Sequence, residues 1–344
     1  MIYRQLLDLF DILDSPAASG QAVVDYFRAI DPECDAETYR LEGHKGSTDM
    51  VRVRIPGSRG RATGGDAPTI GLLGRLGGLG ARPERIGFVS DGDGALCALA
   101  CAAKLLDMRV KGDVLPGDVF VSTHVCPHAP TAPHKPVPFM GSPVSMAEVN
   151  REEVAGSAVA ATANAAEVAA ADAAADAKGQ WPLDAVLSVD TTKGNRIMNH
   201  RGFMISPTVK DGAILPVADD LVTLMEIVSG RPARTFPLSL FDITPYGNGL
   251  YHLNSILQPA TATYAPVVGV AITTESTVPG CATGATHFED VAEAGTFMIE
   301  VAKAFGAGDC RFYDPDELAL FHERYGQFTV LQGMGALPAE NPDA

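Results

Sequence analysis

Apolar positions recur along this chain at two periods, one helical and one strand-like, and their alternation predicts an α/β protein. Residues 3–14 place Leu6, Leu9, Phe10 and Leu13 at helical spacing, with Ile12 widening the apolar face. The break at 15–20 (Ser-Pro-Ala-Ala-Ser-Gly) ends that helix, and a second is expected from about Gln21 to Ile30. Residues 50–55 alternate as a strand, and 56–67, rich in Gly, Arg and Ser, read as a loop. An apolar strand at 69–73 runs into a glycine-dense turn at 74–80. Ile86, Phe88 and Val89 form a strand-like run before Ser90-Asp-Gly-Asp-Gly94, and an Ala/Leu-rich helix follows to about Asp107. The next strand is expected at 118–123. Residues 127–143 carry six prolines and cannot be helical. Alanine dominates from 154 to 178, and because alanine is the best helix former this predicts one long helix or two joined. Further strands are expected at 183–189, 238–243 and 267–273, with a hairpin or two short strands within 199–216. Helices are expected at 221–228, up to about Leu257, at 290–305 and in the final forty residues, with a loop at 274–284.

Apolar strands that alternate with helices belong in a sheet covered on both faces. The expected fold is therefore a three-layer α/β/α arrangement with a mostly parallel, mixed central sheet. The chain has 344 residues, 46% of them hydrophobic, enough for one large domain over 1–344. The Ala-rich segment 151–180 lies within it, and 336–344 reads as a flexible acidic tail. No internal repeat is visible.

Charge narrows the function classes. The formal net charge is −16, and phosphate binding needs a basic face, so nucleic acid is not an expected partner. No secretory leader and no apolar run long enough to span a membrane is seen, so a membrane is not expected either. The six cysteines (Cys34, Cys97, Cys101, Cys126, Cys281, Cys310) show no CxxC pair. Cys97 and Cys101, four apart on a helix, read as core thiols in a reducing cytoplasm. Residues 74–80 hold Gly-x-x-Gly spacings but no GxGxxG opening a helix, so no nucleotide cofactor is expected. The Ala-rich helix could pack against a second copy of the chain.

The chemistry-bearing residues cluster where strands end, which is where α/β proteins bind ligands. Asp91 and Asp93, interleaved with glycine, read either as a metal-bridging or nucleophilic carboxylate with its neighbour in the pocket, or as helix N-caps. His124-Val-Cys126-Pro-His128 brings two imidazoles and a thiol to the next strand end, all metal-ligand types, without the spacing of a closed zinc knuckle. His134 lies on the same loop. Asp190-Thr-Thr-Lys193 follows another buried strand; Asp190 could complete a metal site and Lys193 could hold an anionic group, or the two could be a turn cap and a solvated charge. Tyr246, Asn248 and Cys281 sit in glycine-bearing loops that could line a pocket or simply be turns. His44, His200, His252 and His322 carry no such context.

In order, these elements resemble the co-catalytic zinc aminopeptidase and deacylase superfamily, with its phosphorylase/hydrolase-like fold. The two opening helices with Ser15-Pro-Ala-Ala-Ser-Gly20, the strand end at Arg75, Ser90-Asp91-Gly-Asp93-Gly, Thr123-His124 and Val189-Asp190 fall where that superfamily carries its corresponding elements. The strings Gly-Arg-Leu-Gly-Gly, Val-Ser-Asp-Gly-Asp-Gly-Ala, Thr-His-Val-Cys-Pro, Asp-Thr-Thr-Lys-Gly-Asn and Asp-Ile-Thr-Pro-Tyr-Gly-Asn-Gly are similar to those of a bacterial and archaeal family of unknown function. Where the superfamily has its first histidine and partner aspartate, this chain has Arg75 and Gly77; where it has a Glu-Glu pair, His124 and Val125. The last histidine is replaced by Cys281 or His287.

The resemblance implies a metal-dependent hydrolase of a small amide (a peptide, acyl-amino acid or cyclic amide) with a rebuilt site. Asp91, Asp190, His124 and Cys126 would hold a divalent metal, zinc foremost. His124 or His128 would act as base, Arg75 and Lys193 would bind substrate, and Asp93, Tyr246, Asn248 and Cys281 would line the pocket. Two other classes compete. Residues 86–96 are similar to the strand-then-DxDG signature of haloacid-dehalogenase-type phosphatases, with Asp91 as nucleophile and Asp93 as acid/base. A non-catalytic small-molecule-binding or assembly protein on the same scaffold is the other.

Overall fold

The structure, a computed structural model, describes residues 2–75, 88–132, 139–154, 181–192, 199–243, 256–275 and 286–326. The expected opening pair is present as α1 (Tyr3–Leu13) and α2 (Gly20–Ile30), the second capped by Ser19, whose hydroxyl accepts from the Ala22 N–H. Leu6, Leu9 and Leu13 of α1 are buried, as their spacing requires.

A strand absent from the sequence reading comes next. β1 (Asp35–Gly43) forms a hairpin with β2 (Gly46–Ile55). β1 is a sheet edge, and its side chains are mostly part-exposed and polar, so it carries no apolar alternation to read. Asp35 and Glu37 instead pair across the ribbon with Arg54. Charged edge strands of this kind discourage pairing with another chain.

β3 (Thr69–Gly74), α3 (Asp93–Val110) and β4 (Asp118–Val125) stand close to where the sequence puts them. The run at 86–89 is a correction: Ile86 lies outside the described residues, Phe88 and Val89 form no strand, and Ser90–Gly92 is a 3-10 turn leading into α3. The proline-rich stretch holds a two-stranded ribbon, β5 (Thr131–Ala132) and β6 (Phe139–Met140), before α4 (Met146–Val154). Residues 155–180, which include most of the expected Ala-rich helix, lie outside the described residues.

β7 (Ala185–Thr191) is followed by three short strands rather than two, β8 (Gly202–Ile205), β9 (Thr208–Lys210) and β10 (Ala213–Leu215), then α5 (Asp219–Ser229). The strand expected at 238–243 is instead a 3-10 helix, Leu240–Ile243. Asp242 accepts from both the backbone N–H and the hydroxyl of Ser239, a local bond that competes with sheet pairing. β11 (Val267–Thr273), α6 (Phe288–Ala307) and α7 (Pro315–Tyr325) complete the order. The expected helix to Leu257 and the 274–284 loop fall mostly outside the described residues.

The described strands form a nine-stranded sheet in the order β1-β2-β4-β3-β7-β11-β9-β10, with β8 also on β11. Its centre, β4-β3-β7-β11, is parallel, and antiparallel strands flank it on both sides. All residues of β3, β4 and β11 are buried, which is why these strands read as continuous apolar runs. One face packs Leu72, Val121, Leu187 and Val270 against α1, α2, α3 and α6; the other packs Phe120, Leu73, Val186 and Ala271 with Val154 of α4 and Leu257. The result is the three-layer mixed α/β arrangement expected from sequence.

Among the described residues no helix is long and apolar enough to cross a membrane. Cys34, Cys97, Cys101, Cys126 and Cys310 are free and buried. The Cys97 thiol is held well above its ordinary pKa by its hydrogen bond with Cys101 and by burial, so it is a core group, not a nucleophile.

Candidate functional site

Strand register decides which side chains share a face. Arg52 of β2 pairs with Ser122 of β4, Ser122 and Ser188 both pair with Leu73 of β3, and Ser188 pairs with Gly269 of β11. These residues form one level row across the sheet. Side chains two positions on point the same way, so His124, Arg75 and Asp190 form the next row, at the carboxyl ends of the parallel strands. Arg75 stands just beyond β3, and its N–H prolongs the pairing by donating to the Val189 carbonyl at 2.8 Å.

Two glycines bring α3 onto this rim. A Cβ on Gly94 would lie 2.5 Å from the Val189 oxygen, 2.8 Å from the Arg75 oxygen and 3.0 Å from the Asp190 Cα. A Cβ on Gly74 would lie 2.8 Å from the Gly94 oxygen. Only backbone without a side chain approaches that closely. The 3-10 turn with Asp91 and the first turn of α3 with Asp93 therefore sit against the ends of β3 and β7. Asp91 and Asp190, about a hundred residues apart in sequence, belong to one rim.

The N-cap of α3 is Gly92, so neither aspartate occupies the cap position. Asp93 is fully buried and its Oδ1 accepts from the Thr286 hydroxyl at 2.7 Å. Asp190 is buried and its Oδ1 accepts from the Thr191 N–H at 2.7 Å. The phosphatase signature needs residues 91 and 93 on a loop after a strand; here they lie in a 3-10 turn and in a helix.

Arg75 is 1% exposed and points into the polar face. Its Nη1 is paired with Glu153 of α4, itself 0% exposed, and its Nε donates to the Ser188 hydroxyl at 3.3 Å. Nη2 has no partner among the described residues. Glu152, the preceding residue, takes Arg52: Nη2 donates to its carbonyl at 2.6 Å and to its carboxylate at 3.0 Å. Two consecutive glutamates of α4 are thus held by arginines from two adjoining rows of the sheet. Burial raises the pKa of Glu153, and the Arg75 guanidinium opposes that rise.

His124 is also buried. Its Nδ1 lies 2.9 Å from the Thr48 hydroxyl, which donates to the Val125 carbonyl at 3.2 Å. A hydroxyl has one proton. With that proton on the carbonyl, the oxygen accepts from Nδ1–H and the lone pair is on Nε2; with it on Nδ1, Nε2 carries the ring hydrogen. Nε2 has no partner among the described residues. Burial, and next the charge of Arg75, push the His124 pKa down to about 4, so the imidazole is neutral at pH 7.

Of the remaining expected residues, Cys126 packs against Val89 and Ala129 and its thiol donates to the Ser47 carbonyl at 3.5 Å. Burial raises its pKa. His128 and His287 are exposed. Lys193, Tyr246, Asn248, Cys281 and His134 lie outside the described residues. A cavity of about 540 Å³ lined by Leu215, Asp219, Asp220, Arg311, Tyr313 and Asp314 opens at the β10 end of the sheet, and none of the expected site residues lines it.

Sequence reasoning missed Glu153, Thr48, Ser122 and Ser188. Glu153 was legible: Val149, Asn150, Glu153 and Val154 lie at i, i+1, i+4 and i+5, one helical face, and all four are buried. Thr48 and the serines give no local sign, because only pairing across strands brings them to the rim.

A metal centre is the chemistry the resemblance implies. Among the described residues no three His, Cys, Asp or Glu side chains are grouped to hold a metal ion. His124 offers a suitable neutral nitrogen, but a guanidinium stands beside it on the neighbouring strand and Cys126 is turned to a carbonyl. The set Asp91, Asp190, His124 and Cys126 is therefore not brought together as ligands, and these residues do not by themselves fit a metal.

A family model described as a protein of unknown function, DUF1177, matches residues 39–164 and 166–335. No curated protein matches the chain. Among solved structures, it is similar to the bottromycin maturation enzyme BotP in complex with Mn, with 14% identity over 87% of this chain and 70% of that one and a TM-score of 0.50. It also matches a glutaminyl cyclase from an Acidobacteriales bacterium (12% identity, 89% and 94% covered, TM-score 0.48) and the LapA aminopeptidase of Legionella pneumophila (11%, 90% and 71%, 0.47). The likeness to BotP is one of fold.

Proposed function

The chain belongs to the DUF1177 family, and we propose that it hydrolyses a small amide at the rim where β3, β4 and β7 end. The observation that carries this reading is a buried, neutral imidazole with an open Nε2, held at the same rim as Asp91 and Asp190. A neutral histidine oriented through its other nitrogen offers one fixed lone pair that holds a substrate amide by its N–H, and a carboxylate of the same rim would take the proton of the attacking water. Asp91 or Asp190 would be that carboxylate. BotP, the solved structure with Mn, motivates including metals in the test; no step here runs through one.

A second reading is favoured by the lack of a grouped ligand set among the described residues: a small-molecule binder on the same scaffold. Incubation of the purified chain with acyl-amino acids, dipeptides and cyclic amides, with and without added Zn²⁺ or Mn²⁺, separates them by mass spectrometry. Hydrolysis is expected, and replacing the carboxylate that serves as base, Asp190→Asn or Asp91→Asn, should lower it by about 100-fold or more, the usual range for a lost proton acceptor. Binding without turnover under any metal condition would replace the hydrolase by the binder.

A further inference from the structure

Among the buried polar atoms of this face without a hydrogen-bond partner among the described residues are Oε1 of Glu153, Oγ of Ser122, Nη2 of Arg75, which can only donate, and Nε2 of His124, which accepts when Thr48 gives its proton to the Val125 carbonyl. Arg75 and His124 belong to neighbouring parallel strands about 4.8 Å apart, at the same level and on the same face. Both are fixed from behind. Arg75 is held through Nη1 by Glu153 and through Nε by Ser188, and His124 is held through Nδ1 by Thr48. A buried polar group without a partner is costly, so a donor and an acceptor left open at one level of neighbouring strands favour a complementary edge.

We propose that this pair receives an amide presenting its C=O and N–H on one edge, as a lactam or a primary carboxamide does. The carbonyl oxygen accepts from Arg75 Nη2 and the amide N–H donates to His124 Nε2. A trans peptide bond points those two groups in opposite directions and cannot meet both. A carboxylate offers two acceptors and no donor, and leaves Nε2 facing an oxygen. The substrate class is thereby narrowed from amides in general to cyclic amides and terminal carboxamides. Arg75 serves as a binding group whose fixed charge also polarises the bound carbonyl.

This deepens the hydrolase reading, but binding and turnover can fail separately. The test uses the full chain labelled with ¹⁵N-histidine and three probes: 2-pyrrolidinone, N-methyl-2-pyrrolidinone, which lacks the N–H, and N-methylacetamide, which is trans. The lactam should shift the His124 ring resonances saturably. The N-methyl lactam and the trans amide should bind roughly tenfold more weakly or worse. The double variant Arg75→Met/Glu153→Met, which removes the ion pair together, and His124→Phe should each lose the lactam preference. Equal binding of the lactam and its N-methyl form, an unchanged preference in the double variant, or no binding because an ordered water already satisfies both atoms would overturn it. Lactam binding without hydrolysis would leave this inference standing and remove the hydrolase; hydrolysis of linear peptides with no lactam preference would do the reverse.

Discussion

Arg75→Met alone should destabilise the chain by about 3–5 kcal/mol, while Arg75→Met combined with Glu153→Met should stay within about 1 kcal/mol of the natural sequence. Both partners are at most 1% exposed. Removing one leaves the other charge buried and uncompensated, the most expensive state available. Removing both exchanges an ion pair for apolar side chains of similar volume, which is often neutral because two desolvated charges return little net energy. Glu153→Met alone should behave like Arg75→Met. Urea denaturation midpoints at pH 7 measure this directly. If the single variants are as stable as the double one, the pair is solvated in solution and the rim is open to water.

Gly94→Ala is the second large effect, and here two rules give opposite signs. Gly94 is in the first turn of α3, where alanine is better by about 1 kcal/mol on helix propensity. The added Cβ, however, would lie 2.5 Å and 2.8 Å from two carbonyl oxygens. Neither is the movable end of a side chain, and the nearer one, of Val189, already accepts the Arg75 N–H. Overpacking against such neighbours costs about 1–3 kcal/mol, and with backbone on both sides the upper end applies, for a net loss near 2 kcal/mol. The displacement also separates Asp91 from Asp190, so ligand binding should weaken with stability. A variant as stable as the natural chain would mean that α3 does not sit on the ends of β3 and β7.

The parallel centre of the sheet was legible because strands buried on both faces are mostly apolar, as β3, β4, β7 and β11 are. The rim was legible for a related reason: polar residues that interrupt such runs, as Arg75, His124 and Asp190 do, have few places to go except a site. What the chain hides locally is anything fixed by pairing. β1 is held by cross-strand ion pairs and carries no apolar pattern. Residues 238–243 look like a strand because Leu238, Leu240, Phe241 and Ile243 are apolar, yet the Ser239–Asp242 bond turns them into a 3-10 helix. The role of Arg75 changed for the same reason. From sequence it was a free substrate clamp; in the fold Glu153, nearly eighty residues away, holds one of its nitrogens and leaves another open.

The most direct measurement is the ¹⁵N-histidine spectrum of the folded chain from pH 7 down to pH 4. His124 should keep the tautomer with its proton on Nδ1 and an unprotonated Nε2, and should take up a second proton only near pH 4. Because the unfolded chain protonates this histidine near pH 6.5, stability contributed at neutral pH is lost as the pH falls, by about 2 kcal/mol at pH 5. An imidazole that titrates at its ordinary value, or one protonated at Nε2 in the neutral form, would contradict a closed rim with an open acceptor beside Arg75.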